Sequence, residues 1–305
     1  MELIKKIPIP ISGLILALLS LGNLLQDINP ALRYIFGTLS ILFLILIVLK
    51  IILYPQSIKE DFKNPVVVSS SGTFSMSLMI LSTYIHTFIP SIALTIWIIG
   101  ISLHILLMIY FTYHFIIRNF NISNTYPTYW IVYVGITMGA ITAHIHGIHE
   151  IDFIFFTIGF IGMLISTPAI LYREFVYNKI PDMNKPLTCI FTALFSILIV
   201  GYVNSAQNIS YEFLIGMYIL SCMFYMFALY KLISLRNLEF YPSFSAFTFP
   251  FVISALATKG VLGIIGQNTV LSLVLTLQTV IAIVAVFYVL SEYLKFLKNS
   301  EKSRN

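Results

Sequence analysis

The sequence predicts an all-α integral membrane protein: one transmembrane domain, residues 1–305, of ten membrane-crossing helices paired as five hairpins. Composition, a proline period and the sidedness of charge carry that expectation. Of the 305 residues, 59% are hydrophobic and 10% charged, with a mean hydropathy of +0.95, far from the balance of a soluble domain. Uncharged runs such as 64–117, 186–211 and 260–291 reach or exceed the roughly 18 residues of a candidate span. Such runs must be helical, because lipid offers unpaired backbone no partner and the period-2 alternation of barrel strands is missing.

Turn signals divide these runs into stretches at 8–26, 31–54, 65–85, 91–117, 127–147, 151–172, 186–205, 211–231, 241–264 and 269–294. HTFIPS separates the third stretch from the fourth, and Gly266–Asn268 separates the ninth from the tenth. The opening MELIKK and the apolar run behind it imitate a signal peptide, but no small-residue cleavage site follows, so the first stretch reads as a retained helix. Each odd stretch opens on a proline: Pro10, Pro65, Pro127, Pro186 and Pro242, at intervals of 55, 62, 59 and 56 residues. Proline suits the first helical turn, where its missing N–H is not needed. Pro30 and Pro90, sixty residues apart, head the second and fourth stretches. A period near sixty is one helical hairpin per repeat.

Charge tests the division independently. The N-terminus, the even-to-odd loops and the C-terminal end together carry fifteen of the seventeen basic residues, Arg304 among them, which leaves Arg33 and Lys259 for the opposite side. That bias places both termini in the cytoplasm and the chain in the cytoplasmic membrane as a multi-pass protein. A basic inner face can also concentrate anions, although topology alone accounts for the bias.

The odd stretches are smaller and more polar than the even ones. The third begins NPVVVSSSGTFSMS, with Ser71 and Gly72 at the centre of a hydroxyl crowd. The fifth carries Gly135 and Gly139, the first Ser12 and Gly13, and the ninth Thr248. The second and tenth are bulky and nearly all apolar. This suggests an inner and an outer ring, with Gly13, Ser71, Gly72, Gly135, Gly139 and Thr248 as candidate lining or bending positions. Close helix packing explains small residues equally well. No acid or base occupies the middle of an odd stretch, which argues against a proton pump or a carboxylate-based cation exchanger.

Other constellations are weak. In HIHGIHE, His144 and His146 face opposite ways on a helix, so the string reads as polar residues at a helix end rather than a metal site. Cys189 and Cys222 lie in apolar runs and read as packing residues. No phosphate loop, zinc-protease motif or nucleophile elbow is present, so no enzyme, metal or cofactor is expected.

Taken in order, PIPISGLILALLSLGN, INPALRYI, KNPVVVSSSGTFSM, NTYPTYWIVYVG, GIHEIDFIFFTIG and SAFTFPFVISALA resemble the tellurite-resistance/dicarboxylate transporter family. That family includes bacterial tellurite-resistance proteins, the plant guard-cell slow anion channel, malate permeases and sulfite exporters. The resemblance covers about residues 7–295. It implies a pseudo-fivefold arrangement of the hairpins, five inner helices around a central pore, homotrimers with one pore per protomer, and anions as cargo. It further implies a phenylalanine on the ninth helix that occludes the pore, which in the pattern A-[FY]-[ST]-F-[PG] falls on Phe249. Inner helices of the family bend near mid-membrane at proline or glycine. Pro250 supplies a proline in the ninth stretch, and its ring is expected to crowd the Ala246 carbonyl and bend the helix there. The seventh stretch departs from the pattern, with neither residue from 187 to 200. Seven residues past Pro242, Phe249 would lie about 11 Å into the membrane.

The expected activity is therefore that of an anion channel or channel-like exporter, with small anions and membrane lipid as partners and no nucleic acid. A proton-coupled dicarboxylate, sulfite or tellurite carrier of the same fold is the alternative.

Overall fold

The computed structural model describes residues 2–302; Met1 and residues 303–305, Arg304 among them, lie outside it. All regular structure among the described residues is helical. We label the elements α1 (Ile11–Leu25), α2 (Pro30–Leu53), α3 (Pro65–His86), α4 (Pro90–Ile117) and α5 (Thr128–Val134 with Thr137–His146). The second half comprises α6 (Asp152–Tyr177), α7 (Asp182–Ser205), α8 (Tyr211–Ser234), α9 (Pro242–Ile265) and α10 (Thr269–Lys302). Eight of these are long and apolar enough to cross a membrane, and the two halves of α5, bent by 49°, make a ninth if counted as one span. At 15 residues, α1 is about 22 Å long and falls short of a roughly 30 Å hydrocarbon core.

Odd and even helices occupy different layers. In α3, α7 and α9 between 61% and 83% of the apolar window is buried, against 22% to 33% in α2, α4, α6, α8 and α10. Each odd helix packs against the next odd helix, and α9 returns to α1. Each even helix packs on its own hairpin partner and turns residues such as Ile35, Leu106, Ile165, Met223 and Val284 outward. The physical reason is compositional: small side chains let the inner backbones approach, and bulky aliphatics face lipid. Gly13 illustrates the contact, since a Cβ there would sit 3.1 Å from the Ser245 Cβ of α9.

The ends of the helices keep oppositely charged groups together. At one end Lys259 pairs with Asp27 at 2.6 Å, and Arg33 reaches Gln26 and the Thr83 carbonyl. At the other, the buried Lys50 bonds the Ile7 carbonyl at 2.7 Å and Asp61 at 2.9 Å. Asp61 belongs to a short helix, Pro55–Asp61, which lies within the loop that sequence reasoning assigns between the first two hairpins.

Four of the five inner helices are not merely bent but interrupted, whereas α1 runs unbroken over Ile11–Leu25. α3 breaks at Ser71 between Pro65–Ser70 and Gly72–His86, and α5 breaks at Gly135–Ile136. α7 begins as a 3-10 helix, Asp182–Ile190, and becomes α-helical at Phe191. α9 begins as a 3-10 helix, Pro242–Phe247, and restarts as Phe249–Ile265. Pro250 therefore does not kink a continuous helix by crowding Ala246. The break lies at Thr248 (φ −107°, ψ −86°), and Pro250 stands in the first turn of the following segment, where its missing N–H leaves no bond unmade. Because a 3-10 helix rises about 2.0 Å per residue, Phe249 lies roughly 13 Å beyond Pro242 rather than 11 Å.

Candidate functional site

At the breaks and at the start of α1 the backbone tightens to bonds three residues back, and neighbouring hydroxyls add a bond to the same carbonyls, as at Ile9, Val68 and Ser245. Ser12 donates to the Ile9 carbonyl (2.9 Å), Ser71 to Val68 (2.6 Å), Thr73 to Ser70 (2.8 Å), and Thr248 to Ser245 (2.6 Å), each three residues back. Away from the breaks many hydroxyls bond four residues back, as Thr157 does to Phe153 and Thr167 to Met163 on an outer helix and Thr142 to Met138 on an inner one. The hydroxyl crowd of the third stretch thus serves first to satisfy a tightened backbone. Between helices, Ser12 meets Thr73 at 2.6 Å, Ser69 meets Thr128 at 2.8 Å, and Thr192 meets Ser254 at 2.8 Å. These pairs tie α1 to α3, α3 to α5, and α7 to α9.

At the level of the breaks lies a narrow cavity with room for about 50 Å³ of solvent, to which all five odd helices and no even helix contribute. Its lining includes Gly13, Thr73, Gly135, Leu194, Phe249 and Pro250. Among the described residues no charged side chain lines it; Ser70, Thr73 and Ser245 supply hydroxyls. Phe249 is 6% exposed and starts the second segment of α9, so the break at Thr248 sets where its ring sits. Of the candidates from sequence, Gly13, Gly135, Phe249 and Pro250 meet at this cavity. Ser71 lines a separate apolar recess beside Ser12, Ser75, Phe62 and Leu107. Gly72 packs against Ile131 and Leu107, and Gly139 against Ile101 and Phe155. Thr248 is fully buried, its hydroxyl between the Ser245 and Gly13 carbonyls.

A family model described as voltage-dependent anion channel matches residues 8–293, which takes in α1 through nearly all of α10. The chain belongs to that family. Membership makes it a membrane protein of an anion channel and transporter family. It is also 25% identical over 198 residues to an uncharacterized transporter of Methanocaldococcus jannaschii, a match covering 61% of this chain and 58% of the relative. The chain thus matches under two thirds of the length of that relative.

In this voltage-dependent anion channel family member, one residue near the cavity escaped sequence reasoning. His104 lies on α4, outside the odd stretches, as a lone imidazole in the uncharged run ISLHILL. It is fully buried and reaches inward, with Nδ1 2.7 Å from Ser75 Oγ and Nε2 3.1 Å from the Val132 carbonyl. The histidines of HIHGIHE sit at a helix end, as their spacing suggested. Gly147 takes the left-handed conformation (φ +69°), and the Ile148 N–H closes on the Ala143 carbonyl, a capping pattern that ends helices. His146 bonds Ser82 and stacks near His86 and Trp97.

Proposed function

We propose that this chain is an anion channel, or a channel-like exporter, whose conduction path is the cavity between the odd helices and whose occluding group is Phe249. The observation that carries the reading is the position of Phe249 in the wall of a charge-free cavity to which all five odd helices contribute. An aromatic ring across a narrow apolar passage blocks ions by volume and by dewetting. The positive N-terminal ends of the broken helix segments favour negative charge, and a basic inner face raises the local concentration of anions. Cargo would be small inorganic or organic anions. The pseudo-fivefold ring, the homotrimer with one pore per protomer, and cytoplasmic termini complete the reading, the trimer resting on family likeness alone. The test is anion current across planar bilayers for wild type and Phe249→Ala, with a large increase expected on removal of the ring.

A second reading, a proton-coupled dicarboxylate, sulfite or tellurite carrier of the same fold, draws on one observation. His104 is a buried titratable group beside the inner ring. It ranks second because His104 does not line the cavity and both of its nitrogens are engaged within the protein. Cargo movement that stops when the pH gradient is collapsed, with no current in Phe249→Ala, would favour the carrier.

A further inference from the structure

His104 stands where two broken inner helices meet. A carbonyl can only accept, so the bond to Val132 requires the proton on Nε2, and in the neutral imidazole Nδ1 then accepts from the Ser75 hydroxyl. Each contact falls at a break. Ser75 lies in the first turn after Ser71, and its one hydroxyl proton is shared between His104 Nδ1 and the Gly72 carbonyl, 2.9 Å away. Val132 lies in the last turn before Gly135. In an uninterrupted α-helix the Val132 carbonyl would receive the Ile136 N–H, four residues on. Here that carbonyl faces the imidazole, while Gly135 N–H bonds Ile131 O and Met138 N–H bonds Gly135 O. The two glycines leave the room. A Cβ at Gly135 would meet the Ile131 carbonyl, His104 Cε1 at 2.7 Å and Met76 Sδ at 2.9 Å; one at Gly72 would stand 3.4 Å from the same Cε1.

We propose that His104 is a positioning residue for the conduction path: its imidazole holds the break in α5 by occupying the Val132 carbonyl, and ties that break to the one in α3 through Ser75. Ile131, Val134 and Gly135 of α5 and Ser70 and Thr73 of α3 line the cavity. An outer helix thereby fixes two of the five walls. That this matters for conduction rests on the channel reading, whereas the latch itself is a matter of backbone geometry.

The experiment has two arms, in His104→Leu and His104→Gln, the glutamine keeping an amide donor for Val132. In the first, hydrogen exchange over residues 131–139 is followed by mass spectrometry of the purified full chain in nanodiscs. Freed of His104, the Val132 carbonyl takes the Ile136 N–H, so leucine slows exchange at Ile136 by about tenfold or more and glutamine leaves it near wild type. Where leucine does not accumulate in the membrane, His104→Met gives the same comparison. Unchanged exchange in the apolar variant, or an equal change in glutamine, overturns the latch. In the second arm the same substitutions are placed in a Phe249→Ala parent, and current per reconstituted protein is compared. A shift of about threefold or more with leucine but under twofold with glutamine supports the positioning role, and a conducting parent indifferent to both overturns it. A silent parent contradicts the channel reading, and the exchange arm still decides the latch.

Discussion

Pro250 and Thr248 divide between them a role that the sequence assigned to the proline. A proline inside a helix removes a bond and clashes with the preceding turn, but at the first turn it does neither. The chain is already broken at Thr248, whose hydroxyl holds the Ser245 carbonyl and approaches that of Gly13. Pro250→Ala should therefore leave the break and Phe249 in place. The expected result is a stability change within about 1 kcal/mol by thermal unfolding in detergent, with current in a Phe249→Ala background unchanged within about twofold. A large change in conduction would return the bend to the proline.

At the scale of elements, the period of prolines near sixty residues and the uncharged runs made the stretches and their order legible. Length, apolarity and the first-turn preference of proline are local signals. The breaks were not legible to the same degree. Ser71–Gly72 and Gly135 carry small residues that hint at them, but the 3-10 start of α7 ends at Cys189–Ile190 without proline or glycine to mark it. Hydroxyls give no warning either, because a serine that bonds three residues back at a break looks in sequence like one that bonds four back in a lipid-facing helix. His104 was hidden for a related reason: its partners, a carbonyl and a hydroxyl on other helices, exist only once the breaks do. Of the site, the Phe249 motif was visible by resemblance, whereas the cavity wall needed the fold. The Pro55–Asp61 helix shows how an element outside the spans is anchored. Lys50→Met removes a buried ammonium from the Ile7 carbonyl and Asp61. Ile7 is 1% exposed, so its carbonyl cannot rehydrate freely, and a loss of about 1–3 kcal/mol is expected by thermal unfolding. An unchanged melting temperature would show that water reaches the site.

For the molecule as a whole, the inner and outer layers and the sidedness of charge describe a protein built around its axis rather than across a surface. Asp27, Arg33 and Lys259 meet partners at one end, and Lys50 and Asp61 at the other. With cytoplasmic termini, Gln267→Cys should react with a membrane-impermeant maleimide on intact cells while Lys59→Cys reacts only after lysis, in a chain whose Cys189 and Cys222 are replaced by alanine. The reverse pattern would invert the topology and remove the basic cytoplasmic mouth from the account.

The most direct measurement is current through planar bilayers containing wild type, Phe249→Leu, Phe249→Val and Phe249→Ala, at symmetric pH and equal amounts of reconstituted protein. If the ring closes the path by its volume, anion conductance rises from phenylalanine through leucine and valine to alanine, and alanine exceeds wild type by about tenfold or more. Equal currents across the series would contradict a phenylalanine-occluded path between the five inner helices.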